Sequence, residues 1–154
     1  MTRILMVCLG NICRSPLAHG ILQSKLPQNT YFVDSAGTAA YHVGNPPDYR
    51  SIQVARKNQI DISNQKARQF NVSDFDNFDY IYAMDHSNYT NIISLARHSE
   101  DIGKVKLFLE ENTDLANKNV PDPYYGDLSN FVAVFSLIEN TSNSIVKKLR
   151  TKKV

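Results

Sequence analysis

The sequence predicts an α/β fold in which a parallel β-sheet is flanked by helices. Short apolar runs of strand length alternate with longer segments whose apolar residues recur at helical spacing. This alternation is typical of parallel strands joined by right-handed helical crossovers. The chain has 154 residues, of which 42% are hydrophobic and 21% charged. That size and composition fit a single domain spanning residues 1–154.

The first part of the chain supplies two strands and two helices. Proline and glycine mark the points at which these elements begin and end. The predicted elements are a strand at Ile4–Val7, a helix from Pro16 to Leu26, a strand at Tyr31–Val33 that ends in a turn at 34–37, and a helix at Asp48–Asn58.

The second part of the chain continues the same alternation. Its last helix is long and amphipathic, as expected for a helix that covers one face of a sheet. The predicted elements are a strand at Tyr80–Met84, a helix capped by Asp85–Ser87 that carries apolar residues from Tyr89 to Ala96, a strand at Val105–Leu109, and a helix from Leu128 to Leu149.

A cysteine and an arginine frame the loop after the first predicted strand. Five residues separate Cys8 from Arg14, and Ser15 follows at the start of the next helix. Gly10 and Asn11 tolerate left-handed backbone angles, which a loop needs in order to turn its N–H groups inward. The N-terminus of the helix adds positive potential, which attracts phosphate and favours the thiolate of Cys8. Because parallel sheets bind ligands beyond the carboxyl ends of their strands, we expect the site here.

This loop predicts nucleophilic catalysis of phosphoryl transfer. A thiolate at Cys8 can attack phosphorus and form a phosphocysteine, while Arg14 holds two phosphoryl oxygens. The leaving oxygen needs a proton, and Asp122 is a candidate general acid because prolines on both sides stiffen its segment. An Asp-Pro pair is also common in ordinary turns, so the residues alone leave both readings of Asp122 open.

Composition and charge argue against several other classes of protein. The net charge is only +2 and no long basic block occurs, so nucleic-acid binding is not expected. No segment approaches the ~18–20 apolar residues that a membrane span requires, and no secretory pattern precedes the first strand. The two cysteines, Cys8 and Cys13, share one loop, which fits a reducing compartment and a cytoplasmic location.

No cofactor or metal is expected from this sequence. The histidines lack the spacing of metal ligands, and we expect them at the surface or at helix ends. They are His19, His42, His86 and His98.

The loop as a whole reads Cys8-Leu9-Gly10-Asn11-Ile12-Cys13-Arg14-Ser15. In this form it closely resembles the signature loop of the low-molecular-weight protein tyrosine phosphatases. The resemblance extends over nearly the whole chain and includes Asp34–Thr38, Ala67–Gln69, Phe78–Tyr80, Met84–Asp85 with Ser87–Asn88, and Asp122–Asp127. It implies a single three-layer domain with a four-stranded parallel sheet of order 2-1-3-4, a flavodoxin-like arrangement flanked by helices.

The resemblance also implies a function and a set of site residues. The chain would be a protein tyrosine phosphatase that hydrolyses phosphotyrosine and other aryl phosphate monoesters. Cys8 would be the nucleophile and Arg14 the phosphate ligand, and Asp122 would act first as general acid and then as general base. The residues implied in substrate binding are Leu9, Gly10, Asn11, Ile12, Cys13 and Ser15 in the loop, with Tyr41 and Tyr124 as aromatic walls.

The implied partners are phosphotyrosine-containing proteins or small aryl phosphates, with phosphate or other oxyanions in the loop. Nucleic acid and membrane are not among them, and we expect a monomer, with a weak dimer as the alternative. Cys13 is either an inert filler of the loop or, as the resemblance favours, a redox partner that forms a disulfide with Cys8 under peroxide. Asp127 is expected to cap a loop or helix.

One position departs from the family pattern. Relatives often carry a histidine two positions before Ala-Arg-Gln, bonded behind the phosphate loop, where this chain has Gln65. Glutamine donates and accepts hydrogen bonds but does not become charged. The support of Ser15 and Asn11 is therefore expected to differ from that in relatives.

Three alternative functions remain to be weighed. Arsenate reductases with this fold need further thiols, and the chain has only two cysteines. Phosphoarginine phosphatases tend to have threonine where this chain has Ile12, and an apolar side chain suits an aryl ester better than a guanidinium. A catalytically inactive phosphate-binding module is disfavoured because every catalytic residue type is present.

Overall fold

Within residues 1–151, which the computed structural model describes, four parallel strands form one sheet in the order β2-β1-β3-β4. This is the predicted order. The last three residues of the predicted domain, 152–154, lie outside the described residues. The strands are β1 (Thr2–Cys8), β2 (Tyr31–Gly37), β3 (Tyr80–Ala83) and β4 (Val105–Leu107).

Helices cover both faces of the sheet, as predicted. They are α1 (Arg14–Lys25), α2 (Tyr49–Lys57), α3 (Asp74–Asn77), α4 (His86–Ile93), α5 (Ser99–Gly103) and α6 (Leu128–Thr151), with a 3₁₀-helix at Phe108–Glu111. Helices α1, α2 and α6 pack against one another on one face, while α4 packs on β3 and β4 at the other. None of the helices within residues 1–151 combines the length and hydropathy needed to cross a bilayer.

Strand β1 is apolar from Ile4 to Val7 because both of its faces are buried there. Ile4 and Met6 point into the core beneath α1, α2 and α6, while Leu5 and Val7 point into the core on the α4 side. A central parallel strand covered on both sides is expected to show such a continuous apolar run. Cys8 ends this strand and is itself buried, so the fold delivers it to the carboxyl edge of the sheet.

Strand β2 extends four residues beyond the predicted Tyr31–Val33, so the turn predicted at 34–37 is wrong. Residues 34–37 continue the parallel register with β1, and Gly37 lies opposite Cys8. At Gly37 a β-carbon would lie 2.7 Å from the carbonyl oxygen of Leu9, so only glycine lets β2 approach the Cys8 loop so closely. The end of β2 was not predicted because Asp34 and Ser35 are polar and interrupt the apolar pattern of a strand.

Smaller differences occur at other element ends. Strand β4 stops at Leu107, and the 3₁₀-helix takes up the last two residues of the predicted strand. The short helices α3 and α5 were not predicted, since elements of four or five residues leave little periodicity to detect. Two predicted helix starts are confirmed: the carboxylates of Asp48 and Asp85 accept hydrogen bonds from the backbone at the first turns of α2 and α4.

Candidate active site

The loop at residues 9–13 is held from outside through its carbonyl groups. Thr38 N donates to Cys8 O at 2.9 Å, Ala39 N to Leu9 O at 2.9 Å, and Asp48 N to Ile12 O at 2.7 Å. Among the described residues, no protein group accepts a hydrogen bond from the N–H groups of residues 9–13. The carbonyl groups at both ends of the loop are therefore occupied while its N–H donors are available, and available N–H donors are what binds an anion.

Asn11 and Ser15 form a buried network beneath the loop. Asn11 has a left-handed backbone, with φ of 58°, and its amide joins two neighbours. Its Nδ2 donates to Ser15 Oγ at 2.8 Å, and its Oδ1 accepts from Arg68 N at 3.1 Å. Ser15 Oγ lies 3.0 Å from Cys8 Sγ. Because Ser15 already accepts from Asn11, its proton is free to point at the sulfur.

Arg14 is 2% exposed and is paired on one side of its guanidinium. Its Nη1 donates to Asp85 Oδ2 at 2.6 Å and to Val120 O at 3.0 Å, while Nη2 lies 3.8 Å from Asp122 Oδ2. Burial opposes its charge, but Cys8, Asp85 and Asp122 together hold its pKa above the ordinary value. Arg14 is therefore a fixed cation whose Nη2 edge faces the site.

Cys8 and Arg14 border a pocket of about 150 Å³. Nine of the predicted site residues line it: Cys8, Leu9, Gly10, Ile12, Cys13, Arg14, Tyr41, Asp122 and Tyr124. The remaining two, Asn11 and Ser15, do not line the pocket but lie beneath it in the network described above. The structure thus gathers residues from the start, the middle and the end of the chain around one sulfur.

Asp122 approaches Arg14 from a segment that is anchored at Val120. Val120 N donates to Met84 O at 2.8 Å, at the end of β3, and prolines flank Asp122 on both sides. The Asp122 side chain is 43% exposed, and its Oδ1 accepts from Tyr124 N at 3.1 Å. One carboxylate oxygen is thus held by its own turn while the other faces the pocket.

The walls of the pocket include a residue that was not predicted. Tyr124 and the 77% exposed Tyr41 line it, and His42 lines it as well. The rings of His42 and Tyr124 lie 6.4 Å apart between centroids. His42 is partly exposed, so it lies at the surface as expected, but its place in the pocket wall was not predicted. Tyr125 is 94% exposed and reaches only the rim.

The two cysteines are both free, yet their surroundings differ. Burial raises the pKa of the Cys13 thiol, and the charges of Asp48 and Cys8 raise it further. Cys13 therefore stays protonated, whereas Cys8 has the Ser15 hydroxyl as a hydrogen-bond partner and the Arg14 cation nearby.

Gln65 does not take part in the network beneath the loop. Its Nε2 donates to Pro16 O at 3.2 Å, and its side chain also lies close to His19. Nearby, His19 Nδ1 lies 3.1 Å from Ser35 Oγ, and burial lowers the pKa of His19 although Asp34 opposes this. The expectation that His19 lies at the surface or a helix end is therefore wrong. Within residues 1–151, no cluster of three or more metal-ligating side chains occurs.

Comparison with known proteins finds one family. The family model described as low molecular weight phosphotyrosine protein phosphatase matches residues 3–154. The low molecular weight phosphotyrosine protein phosphatase of Schizosaccharomyces pombe is 40% identical over 152 residues, which are 96% of each chain. That of Homo sapiens is 37% identical over 152 residues, 94% of each chain.

Solved structures show the same likeness. A protein tyrosine phosphatase from Entamoeba histolytica, with Hepes in its active site, superposes with a TM-score of 0.91 at 34% identity over 100% of both chains. Vibrio vulnificus Wzb in complex with benzylphosphonate superposes with a TM-score of 0.86 at 32% identity, covering 96% of this chain and 98% of Wzb.

Proposed function

Because the chain belongs to the low molecular weight phosphotyrosine protein phosphatase family, we propose that the pocket at Cys8 is its active site. The chain is a protein tyrosine phosphatase, a phosphoric monoester hydrolase. The observation that carries the proposal is the meeting of three side chains from distant parts of the chain. The Cys8 sulfur, the Arg14 guanidinium and the Asp122 carboxylate all border one pocket.

Cys8 is the proposed nucleophile. Its thiolate attacks phosphorus, the bond from phosphorus to the aryl oxygen breaks, and a phosphocysteine forms. The available N–H groups of residues 9–13 and the Nη2 edge of Arg14 bind the phosphoryl oxygens as negative charge develops on them. Ser15 stabilises the thiolate before attack and again when the sulfur leaves.

Asp122 is the proposed general acid and then general base. In the first step its carboxyl proton passes to the leaving phenolate oxygen. In the second step its carboxylate takes a proton from water, the water oxygen attacks phosphorus, and the phosphorus–sulfur bond breaks. Phosphate and the Cys8 thiolate result. Its partial exposure and position 3.8 Å from Arg14 support both roles.

The pocket walls support an aryl substrate. Tyr41, His42 and Tyr124 stand above the loop, so a flat ring fits between aromatic walls while its phosphate reaches Cys8. The benzylphosphonate bound to Wzb, which pairs a benzyl ring with a phosphonate, agrees with this choice. Ile12 lines the pocket with an apolar surface, which favours an aryl ester over phosphoarginine.

Further parts of the proposal concern the whole protein. The family model covers residues 3–154, which supports one catalytic domain over residues 1–154. Two free cysteines in one loop favour the cytoplasm. We propose that the enzyme acts there as a monomer on phosphotyrosine-containing proteins and needs no cofactor. Sedimentation at several concentrations tests the monomer against a weak dimer.

Hydrolysis of phenyl phosphate by matched variants tests the roles of Cys8 and Asp122. Cys8→Ser is expected to abolish turnover, and Asp122→Ala is expected to lower kcat by about 10²–10⁴-fold. Asp127→Ala is the control, because Asp127 lies in the same segment but caps the start of α6 instead of lining the pocket. Wild-type activity in Cys8→Ser would refute the proposal. Phosphotyrosine and phosphoarginine peptides, compared at equal concentration, test the substrate class.

A further inference from the structure

Arg50 connects helix α2 to the segment that carries Asp122. Its Nη1 donates to Gly126 O at 2.8 Å and its Nη2 to Tyr124 O at 2.9 Å. The same guanidinium is bonded to the Asp48 carboxylate through Nε and Nη2, both at 3.0 Å. One side chain thus binds a carboxylate on its own helix cap and two carbonyl groups of another segment.

The guanidinium is also fixed by aromatic rings. Its Cζ lies 4.3 Å from the ring centroid of Phe131, on α6, and 5.9 Å from that of Tyr124. Burial opposes ionisation of Asp48, but hydrogen bonds from Arg50 hold the pKa of Asp48 below its ordinary value. The pair is therefore charged at neutral pH, and the plane of the guanidinium is set by contacts on several sides.

The segment between Val120 and α6 has few other attachments. Within residues 121–127, the remaining hydrogen bonds are local ones, such as Tyr124 N to Asp122 Oδ1 and Gly126 N to Pro123 O. Among the described residues, the hydrogen bonds that join 121–127 to distant parts of the chain are the two from Arg50. Apart from its 3.8 Å contact with Arg14, the position of Asp122 therefore depends on the anchor at Val120 and on Arg50.

Asp48 extends this connection to the nucleophile loop. Its backbone N–H donates to Ile12 O at 2.7 Å, inside the Cys8 loop, while its carboxylate binds Arg50. A chain of short bonds therefore runs from the loop of Cys8, through Asp48 and Arg50, to the segment of Asp122. These contacts set the distance between the nucleophile side and the acid side of the pocket.

We propose that Arg50 is a positioning residue that holds the Asp122 segment in register with the Cys8 loop. The proposal rests on the general-acid role of Asp122 given above. Arg50 does not line the pocket, so it acts through the groups that it binds, which are residues 121–127 and Asp48. The bond from Asp48 to the Cys8 loop is made by a backbone N–H and does not require the Arg50 side chain. Lysine does not replace it, because a single ammonium lacks the planar fork that bonds a carboxylate and two carbonyl groups together.

Two esters that differ in their leaving group distinguish a misplaced general acid from a general loss of activity. Phenolate is a poor leaving group and needs the proton of Asp122, whereas a dinitrophenolate leaves with little help. For Arg50→Gln we expect kcat/KM, which reports on the steps up to phosphorylation of Cys8 and not on hydrolysis of the intermediate, to fall about 10–100-fold with phenyl phosphate, since a displacement of about 1 Å costs about 10²-fold. With dinitrophenyl phosphate we expect kcat/KM to fall less than about threefold, because acid catalysis contributes little to phosphorylation of Cys8 by that ester.

The experiment compares Arg50→Gln, Arg50→Lys, Asp122→Asn and the double variant Asp122→Asn/Arg50→Gln with wild type on both esters. Arg97→Gln is the matched control, because Arg97 makes a similar double ion pair, with Asp76 and Asp101, away from the pocket. Inhibition by inorganic phosphate reports on the Cys8 loop and should change less than about threefold in Arg50→Gln, as the loop's N–H groups are untouched.

Each outcome has one meaning. The proposal is supported if Arg50→Gln lowers kcat/KM with phenyl phosphate only, and if adding Arg50→Gln to Asp122→Asn lowers it no further. Equal losses on both esters, additivity with Asp122→Asn, or failure of both Arg50 variants to fold would overturn it and leave Arg50 a structural residue. If Asp122→Asn itself shows no dependence on the leaving group, the general-acid role fails instead.

Discussion

Removing the charge of Asp85 tests how the buried Arg14 is kept in place. Asp85 Oδ2 is 2.6 Å from Arg14 Nη1, and the two side chains are 23% and 3% exposed. The two Asp85 oxygens accept from different donors, Oδ2 from Arg14 and Oδ1 from Asn88 N, so the single amide oxygen of Asp85→Asn keeps one of these hydrogen bonds and the substitution removes the charge and the other. The nearest remaining carboxylate is that of Asp122, at 3.8 Å.

The expected cost follows from the burial of the pair. Removing one partner of a buried ion pair costs about 3–5 kcal/mol because the other charge is left uncompensated. Asp85 is partly exposed and one of its two hydrogen bonds survives as an amide, so we expect the free energy of unfolding to fall by about 2–3 kcal/mol. Asp122→Asn, which removes a more exposed carboxylate from the same arginine, should cost less than about 1 kcal/mol.

Urea unfolding at pH 7, with and without phosphate, measures these changes. A phosphate dianion supplies the charge that Asp85→Asn lacks, so it should bind the variant about fivefold more tightly. At saturating phosphate the variant should therefore recover about 1 kcal/mol of the difference from wild type. A loss below about 1 kcal/mol, or weaker phosphate binding than wild type, would refute the claim that Asp85 balances the charge of Arg14.

Three further substitutions or treatments have defined outcomes. Gly37→Ala places a β-carbon 2.7 Å from Leu9 O, so chemical denaturation should show a loss of about 1–3 kcal/mol together with weaker phosphate binding. Burial holds the pKa of His19 below its ordinary 6.5, so on acidification the unfolded chain binds a proton before the folded chain does, and the free energy of unfolding falls as the pH drops below about 6.5. In His19→Asn the free energy of unfolding should depend less on pH between pH 7 and 5, which chemical denaturation at each pH measures. Peroxide should convert Cys8 to a sulfenic acid that condenses with the Cys13 thiol, releasing water and forming a disulfide that mass spectrometry detects. A sulfinic or sulfonic Cys8 instead would show that Cys13 does not protect Cys8 from irreversible oxidation.

The order of the strands and helices along the chain was predictable because each long element has its own spacing of apolar residues. The apolar run of β1 and the stripes of α1 and α6 were read from local spacing, and the observed sheet order agrees with the resemblance. The end of β2 was not predictable in the same way. Asp34 and Ser35 are turn residues by composition, and only pairing with β1 makes them strand. Tertiary pairing overrode local preference there.

The site shows the same division. Cys8 and Arg14 are close in sequence, so their relation is visible in the chain itself. Asp85 was predicted only as a helix cap, yet the same carboxylate also balances Arg14 across 71 positions. His42 and Arg50 carry no motif, because their roles come from contacts with Tyr124 and its neighbours that the fold alone creates. Sequence patterns thus identified the reacting groups but not the groups that hold them.

Direct detection of the covalent intermediate tests the central claim, that Cys8 carries the phosphoryl group. In Asp122→Asn a dinitrophenyl phosphate still phosphorylates the thiolate, because its leaving group needs no acid, but the intermediate lacks the base that activates water. Rapid acid quenching and mass spectrometry should therefore find one phosphoryl group on the peptide that contains Cys8. An unmodified Cys8 peptide during steady turnover, or a phosphoryl group on another residue, would contradict the mechanism.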